Sequence, residues 1–573
     1  MNQAPDGPNL GRLARGGALN LAGAVSAGVL GLALVFVVAH AYDPATAGAF
    51  FAATSLFLIL GAAAGLGTDT GLLRWVPRHL ALGDPAAARR TVPIALVPVA
   101  ALAVTCAVVL AVLAPWLAGR LGSGEPEQVT VMLRVLAAFL PLAALQDALL
   151  AATRGHGAMR PTVAIEKVFR QFAQVGGASA AALLTDHPAA LALAWALPYL
   201  PGMVAAALWY RRLATRTFAT LDDVAATTTA PPPSPSLSAP SQSTPPPSAA
   251  SPSAPSQSAP PQSAATPSEG GRGAIKAQAA EFWRFTSPRA VAGICQQALQ
   301  RADIVLLAAL ASPREAALYT AATRFIVIGQ LGTQAVQNVM QPAVSRHLAL
   351  SDRVGAQKVF AVATTWTVLL TWPVHLTVAV GASVYLSLFG SGYSGAGQAP
   401  TVILALAMLL ATAAGPLDVL LLMAGRSGLS LVNSATALAV NIALNLLLID
   451  RYGATGAAIA WAAAIITRNL LGMVQVRRIL AIGPKGAGLP LAASVALLCF
   501  GILALVIREI FGANAAGLAI GLISGMAAYG ALLWFGRDRL ALTAFTALLP
   551  GRRGARPPVP DDDPPRRVHA RKA

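Results

Sequence analysis

The chain has 573 residues, of which 56% are hydrophobic and 11% charged, and its formal net charge is +18. Soluble globular proteins average about 25% charged residues, so this composition excludes a soluble globular protein. The basic residues lie in short loops between apolar runs rather than on one soluble face, which excludes nucleic acid as a partner. The apolar runs are about 20 residues long, as a helix needs to cross the bilayer core.

Fourteen apolar segments are predicted to be transmembrane helices, six before a Pro/Ser-rich stretch and eight after it. The first six lie at approximately 17–40, 47–69, 92–117, 130–152, 162–184 and 189–210. The other eight lie at approximately 285–310, 316–342, 359–388, 400–424, 428–449, 454–476, 487–508 and 514–535. The chain is therefore predicted to be an all-α integral membrane protein.

Lysine and arginine concentrate in every second loop, and the loops between them hold mainly Arg120, Arg314, Arg451 and Arg508. Basic loops of membrane proteins stay on the cytoplasmic side. The pattern predicts a multi-pass protein of the plasma membrane with both termini in the cytoplasm.

The segments also define domain boundaries. The sequence predicts a cytoplasmic N-terminal segment 1–16, an N-lobe 17–212, a cytoplasmic loop 213–280, a C-lobe 281–480, two further spans within 481–536 and a basic cytoplasmic tail 537–573. Within the loop, residues 224–270 are almost wholly Pro, Ser, Ala, Thr and Gln, which predicts a disordered linker. A spacer is its simplest role, and a partner that binds the Pro-rich runs is the alternative.

An internal repeat relates the two halves of the chain. PATAGAFFAAT at 44–54 matches PREAALYTAAT at 313–323, and RHLALGD at 78–84 matches RHLALSD at 346–352. Each pair occupies equivalent places in the two halves. Because each half has six predicted spans, both insert in the same orientation, related by a pseudo-two-fold axis along the membrane normal. The repeat predicts two parallel six-helix lobes with two additional C-terminal helices.

Two parallel six-helix lobes are typical of a transporter whose substrate path lies between the lobes, and polar residues inside the predicted spans are expected to mark that path. Four lie along one face of the seventh span, a glutamine stripe that includes Gln341 follows the eighth, two arginines lie deep in their spans, and two asparagines are one turn apart on the eleventh. The candidate substrate-binding residues are Arg324, Arg468, Arg289, Gln296, Gln300, Asp303, Gln330, Gln334, Gln337, Asn441 and Asn445.

A structural role is the alternative for several of these residues. Intramembrane Gln and Asn often serve as hydrogen-bond partners between helices. Arg301 and Asp303 could form an ion pair, and Asp418 could pair with Arg426 or another neighbour. A deep arginine, in contrast, needs an anion or a water-filled cavity, which favours Arg324 and Arg468 as binding residues.

No sequence pattern indicates catalysis. The chain has no Walker A motif, no Ser/His/Asp arrangement and no metal-ligand spacing. The three cysteines lie in apolar runs, as small core residues do. We therefore predict a protein that is not an enzyme and has no metal or other cofactor.

Five segments of the chain follow a recognisable order and spacing. They are AYDPATAGAFFAATSL at 41–56, GLGTDTGLLRWVPRHLALGD at 65–84, RADIVLLAALASPREAALYTAATR at 301–324, LFGSGYSGA at 388–396 and NIALNLLLIDRYGATGAAIAWAAA at 441–464. In this order and spacing they resemble the polysaccharide-biosynthesis flippases of the multidrug, oligosaccharidyl-lipid and polysaccharide exporter superfamily. The similarity covers roughly residues 10–480.

The resemblance implies a V-shaped pair of lobes around a central cavity. It implies translocation of an undecaprenyl-pyrophosphate-linked oligosaccharide across the plasma membrane without ATP, with arginines holding the pyrophosphate and an ion gradient driving the cycle. The implied partners are the lipid-linked glycan, the bilayer, and polymerase or glycosyltransferase machinery. The long Pro/Ser linker departs from the family pattern, which has a short central loop.

Three other functions stay open. A lipid II flippase fits the fourteen spans equally well. A multidrug or metabolite antiporter belongs to the same superfamily, and the facilitator-type signature that would indicate another class is missing after span two. A membrane polymerase or ligase would place reactive residues in a large external loop, whereas every predicted external loop is short.

Overall fold

The computed structural model of the chain describes residues 10–121, 126–185, 187–228, 270–390, 392–483, 486, 488–537 and 540. These residues are almost entirely helical, and they include no β-strand. The predicted linker and basic tail lie largely outside them, as do residues 1–9. Residues 224–228, which we predicted to be part of the linker, continue a helix.

Eight helices precede the linker. They are α1 (Leu10–Ala41), α2 (Pro44–Ala64), α3 (Thr68–Ala81), α4 (Pro85–Leu121), α5 (Pro126–Gly155), α6 (Arg170–Leu184), α7 (Pro188–Ala196) and α8 (Tyr199–Thr228). A π-helical segment, Thr162–Phe169, runs directly into α6.

Ten helices follow the linker. They are α9 (Gly270–Leu310), α10 (Pro313–Ala349), α11 (Arg353–Val380), α12 (Ala382–Ser387), α13 (Gln398–Ala413), α14 (Leu417–Met423), α15 (Ser427–Leu480), α16 (Gly488–Ala496), α17 (Leu503–Phe511) and α18 (Ala515–Gly536). A π-helical segment, Leu497–Ile502, joins α16 to α17. Gly453 has φ 51° and ψ −132°, and it divides α15 where the sequence predicts a loop between two spans.

The prediction of an all-helical membrane protein is confirmed. Among the described residues, nine helices are long and apolar enough to cross a membrane, and the bent pair α13 and α14 makes a tenth if it forms one span. All fourteen predicted segments lie largely within helices of the structure, but several of these helices are too polar to qualify on hydropathy alone. The number of fourteen crossings therefore stays a prediction.

The repeated sequences fold into the same local structures in both halves. Asp43 caps α2 by accepting a hydrogen bond from the Ala45 N–H (2.9 Å), and Ser312 caps α10 by accepting one from the Glu315 N–H (3.2 Å). A proline follows each cap at the first helical position, where its missing N–H costs nothing.

The second repeated sequence forms the same turn twice. The backbone N–H of Asp84 donates to the His79 carbonyl (3.0 Å), and that of Asp352 donates to the His347 carbonyl (2.9 Å). Each aspartate then caps the following helix. The hydrogen bond from the Gly355 N–H, together with the one from the His347 ring, holds the pKa of Asp352 below its usual range.

The two halves touch at both ends of the bundle. At the end where α2 and α10 begin (the α2 end), a Cβ on Gly48 would lie 1.6 Å from the Pro313 carbonyl oxygen, so only glycine allows this approach. The largest apolar cluster surrounds this contact and joins α2 and α5 to α9, α10 and α15.

At the opposite end, where α4 and α9 begin (the α4 end), polar contacts join the halves. The Gln278 side chain on α9 donates to the Ala87 carbonyl (2.8 Å) and to the Thr91 hydroxyl (3.0 Å) on α4. Arg78 lies 3.6 Å from Glu281 in an exposed ion pair. Because the halves meet at both ends, any cavity between them is bounded at each end by these contacts.

The C-terminal helices α16, α17 and α18 pack on the second half alone. The Tyr529 hydroxyl on α18 donates to the Leu369 carbonyl on α11 (2.8 Å), and the Arg508 guanidinium donates to the Val380 carbonyl (2.9 Å). A separate apolar cluster surrounds these contacts. These helices are therefore an addition to the second half rather than a bridge between the halves.

Candidate functional site

Three contiguous cavities lie in the interior of the bundle. The arginine cavity has a volume of about 250 Å³ and is lined by Arg170, Arg301 and Arg324. The central cavity is the largest, at about 630 Å³, and shares Arg170 with the arginine cavity. The glutamine cavity, of about 420 Å³, shares Gln296 and Arg468 with the central cavity. The arginine and glutamine cavities therefore each share part of their wall with the central cavity.

The arginine cavity brings together helices from both halves. Arg170 begins α6, Arg301 lies on α9 and Arg324 lies on α10, while α1 and α2 supply mostly small and apolar wall residues. The Arg324 Nε donates to the Thr320 carbonyl of its own helix (3.1 Å). Within the described part of the chain, Arg301 has no hydrogen-bond or ion-pair partner.

The charge of the arginine cavity is strongly positive. Among the described residues no carboxylate lines it, and Glu166, outside its wall, lies 3.7 Å from Arg170 in an ion pair. Arg170 also lies over the Tyr199 ring, with its Cζ 5.0 Å from the ring centroid. An unpaired charge in the bilayer centre costs at least ~2.5–3.5 kcal/mol, so Arg301 and Arg324 require an anion or water. Guanidinium groups that converge in this way suit a phosphate or pyrophosphate.

The central cavity contains charges of both signs. Its basic lining residues are Arg154, Arg170, Arg289 and Arg468, and its acidic ones are Asp69, Asp147 and Glu166. The break between α2 and α3 opens into this cavity. Gly67 has a φ of 68°, and the hydroxyls of Thr68 and Thr70 donate to the carbonyls of Gly65 and Gly67. A broken helix is tolerated at this depth because its freed backbone groups are satisfied locally or face a polar cavity.

The glutamine cavity is polar but almost uncharged. It is lined by six glutamines, Gln296 and Gln300 on α9 and Gln330, Gln334, Gln337 and Gln341 on α10. Within the described part of the chain, the charged side chains in its wall are Asp418 and Arg468, and they form an ion pair with each other. The break between α13 and α14, at Gly415 and Pro416, forms part of this wall.

Eight of the eleven predicted binding residues line these cavities. Arg324 lines the arginine cavity, Arg289 the central cavity, and Gln296 and Arg468 both the central and the glutamine cavities. Gln300, Gln330, Gln334 and Gln337 line the glutamine cavity. Asp418 pairs with Arg468 rather than with Arg426.

The other three predicted residues, Asp303, Asn441 and Asn445, are buried outside the walls of the three cavities, and Asp303 and Asn445 belong to a hydrogen-bonded network. Asp303 accepts hydrogen bonds from the Tyr319 hydroxyl (2.7 Å) and the Asn445 amide (2.7 Å). Among the described residues, Asp303 forms no ion pair with Arg301, which was the alternative expectation. The network ties α9, α10 and α15 together.

Sequence reasoning missed several cavity residues. The sequence pattern indicates only an ion pair for Arg301, and it indicates no binding role for Arg154, Asp147, Glu166 or Arg170. A signal was present, because Asp147, Glu166 and Arg170 lie inside predicted spans. The cost of a charge in the membrane, which singled out Arg324, applies equally to these residues.

Solved structures with a similar fold are membrane transporters. The lipid II flippase MurJ, in an inward closed conformation, matches 91% of this chain and 98% of its own, with a TM-score of 0.65 and 12% identity. The fold is similar to that of MurJ over most of the chain. An inward-facing multidrug resistance MATE transporter of the MOP superfamily matches 79% of this chain and 94% of its own (TM-score 0.55, 13% identity).

A MOP superfamily transporter from Pyrococcus furiosus matches 82% of this chain and 95% of its own (TM-score 0.51, 14% identity). No protein-family model and no curated protein matches the sequence. The similarity therefore establishes the fold, and the resemblance to polysaccharide flippases in particular stays a prediction. The described residues contain no cluster of His, Cys, Asp and Glu that could hold a metal ion.

Proposed function

We propose that this protein is a flippase that moves a pyrophosphate-linked lipid glycan across the plasma membrane. The observation that carries the proposal is the arginine cavity, where Arg301 and Arg324 face an interior space that is lined by no carboxylate of the described residues. Such a site attracts an anion of high charge density and repels a cation. A lipid-linked pyrophosphate has this charge, and it is a substrate that must cross the bilayer.

The transport cycle follows from the contacts between the halves. In our proposal the lobes 17–212 and 281–480 rock against each other, with both termini cytoplasmic and the α2 end facing outward. Opening the α4 end would break the contacts of Gln278 and the ion pair of Arg78, while the tight contact at Gly48 keeps the α2 end closed. Opening the α2 end would break the contact at Gly48 while the contacts of Gln278 and Arg78 keep the α4 end closed, as alternating access requires.

The substrate itself would help to drive the change of state. The repulsion between unpaired arginines in the arginine cavity falls when a pyrophosphate binds between them. A ligand that binds one state more tightly shifts the population toward that state. Arg170, Arg301 and Arg324 come from helices of both halves, so a bound anion would draw the halves together around it. This step needs no nucleotide.

A polyprenyl-linked oligosaccharide for cell-surface polysaccharide is the substrate that the resemblance in sequence favours. Lipid II is the second candidate, because the similarity to MurJ covers 91% of the chain, whereas the MATE similarities cover 79% and 82%. A multidrug antiporter is the third candidate, since the three arginines of the arginine cavity disfavour cationic drugs there.

Depletion of the protein in its own cells tests the proposal. If the protein is a glycan flippase, the lipid-linked oligosaccharide accumulates in the inner leaflet and its outer-leaflet form falls. If lipid II accumulates instead, the second candidate is the function. Unchanged distribution of both lipids would overturn both candidates.

A further inference from the structure

The glutamine cavity differs from the arginine cavity in its chemistry. Its two charged wall residues, Arg468 and Asp418, neutralise each other, so no net charge is left for a phosphate. Its six amides make it too polar for a lipid tail, because an amide that an apolar tail covers loses its hydrogen bonds to water. The cavity is therefore suited to a neutral ligand that both donates and accepts hydrogen bonds.

The amides of this cavity are free to bind a ligand. Gln334 donates a long hydrogen bond to Asn338 (3.3 Å), and the other five glutamines have no hydrogen-bond partner within the described residues. If these side chains held the helices together, they would bond to one another or to facing backbone groups. Elsewhere in the bundle, Asn433 and Gln475 do hold parts of α15 together in this way, because they exchange two amide hydrogen bonds, of 2.8 and 2.7 Å.

The position of the cavity points to one part of the substrate. Gln296 and Arg468 line both the glutamine cavity and the central cavity, and the central cavity shares Arg170 with the arginine cavity. A ligand whose pyrophosphate lies among the arginines can therefore extend its neighbouring group toward the glutamines. In a lipid-linked glycan that neighbouring group is a sugar.

We propose that the glutamine cavity binds the sugar residues of the transported lipid, and this inference rests on the proposed function. Each amide offers a donor and an acceptor, which match the hydroxyl pairs of a sugar ring. The spacing of Gln330, Gln334, Gln337 and Gln341 keeps four amides on one face of α10. Trp461 supplies an apolar wall for a sugar face.

A binding experiment with two ligands tests the proposal. The full chain is purified in nanodiscs and titrated with undecaprenyl pyrophosphate and with the same lipid carrying a short neutral glycan. Wild-type protein should bind the glycan form more tightly. Gln330→Leu/Gln334→Leu should weaken binding of the glycan form by about tenfold and leave binding of the sugar-free lipid unchanged. Equal effects on both ligands, or none on either, would overturn the sugar site.

Two control variants distinguish a failure of the sugar site from a failure of the proposed function. Arg301→Ala should weaken binding of both ligands, and if wild-type protein binds neither, the proposed function fails rather than the sugar site alone. Gln475→Leu removes an amide that is bonded in the structure, so it should lower the melting temperature without changing the preference for the glycan. A fall in melting temperature of Gln330→Leu/Gln334→Leu equal to that of Gln475→Leu would show that the stripe is structural and overturn the proposal.

Discussion

Arg468 on α15, which lines both the central and the glutamine cavity, forms an ion pair with Asp418 on α14, which lines the glutamine cavity. Both side chains are partly exposed to the cavities, by 19% and 33%. The Ser430 hydroxyl donates to the same carboxylate (3.4 Å). Arg468 is therefore neutralised by the protein, unlike Arg301. We infer that Arg468 fixes the short helix α14 beside the path, and that Arg301 and Arg324 carry the charge that binds substrate.

This distinction predicts the effect of breaking the ion pair. Arg468→Ala and Asp418→Ala should each lower the free energy of unfolding by about 1–3 kcal/mol, because each leaves one charge without its partner. The double variant should be more stable than the sum of the two losses implies. Thermal unfolding in detergent measures all three variants. Additive losses would mean that the two side chains do not stabilise each other.

The positions of the helices could be predicted from sequence because each run of about 20 apolar residues must satisfy its backbone internally. The breaks within the spans could not. The interruption between α2 and α3 depends on Gly67 lying against the backbone of Ala290, a contact between distant parts of the chain. Apolar periodicity carries no information about such a contact.

The two unpaired arginines should be essential for transport. Arg301→Ala and Arg324→Ala should each reduce the rate of flipping by about 10–100-fold, since a charge-assisted hydrogen bond contributes about 1.5–3 kcal/mol. Membrane insertion should stay normal, because Arg324 bonds only within its own helix and Arg301 has no partner among the described residues. Arg120→Ala, at the exposed end of α4, is the control and should transport normally. Wild-type rates in both cavity variants would contradict this assignment.

Several polar residues of the candidate site could be predicted from the sequence, but which of them face a cavity could not. Charged and amide side chains inside an apolar run cost free energy when they enter the membrane, so Arg324 and the glutamine stripe can be recognised in the sequence as candidate binding residues. Which face of a helix meets a cavity depends on its neighbours. Asp303 follows Gln300 by less than one turn, yet it turns toward Tyr319 and Asn445 and is buried. That difference arises from the packing of α9 between α10 and α15, which periodicity does not determine.

The close approach at Gly48 predicts that this end of the bundle tolerates no side chain. Gly48→Val should prevent the contact with Pro313 and destabilise the closed α2 end by about 1–3 kcal/mol. Cross-linking between cysteines introduced at the starts of α2 and α10 would report the separation. Gly119→Ala, where a Cβ meets nothing within 4 Å, should leave cross-linking unchanged. Efficient cross-linking in Gly48→Val would show that the contact is not needed for closure.

The kink in α15 depends on Gly453 and on Glu315, whose carboxylate accepts a hydrogen bond from the Ala454 N–H (2.7 Å). Gly453→Ala should cost about 1–2 kcal/mol, because its φ of 51° with ψ of −132° strains any residue with a Cβ. Glu315→Ala should cost a similar amount by leaving that backbone N–H unpaired. Thermal unfolding of both variants tests this account. A Gly453→Ala variant as stable as the parent protein would show that the kink carries no strain.

Flipping by the purified protein in vesicles tests the central claim most directly. A lipid-linked glycan is distributed over both leaflets, and an impermeant glycosidase then reports the fraction that can reach the outer surface. The account predicts that wild-type protein makes the whole pool accessible. Arg301→Ala/Arg324→Ala should leave the inner-leaflet pool protected. An inner-leaflet pool that stays protected with wild-type protein, for both the oligosaccharide lipid and lipid II, would contradict the account.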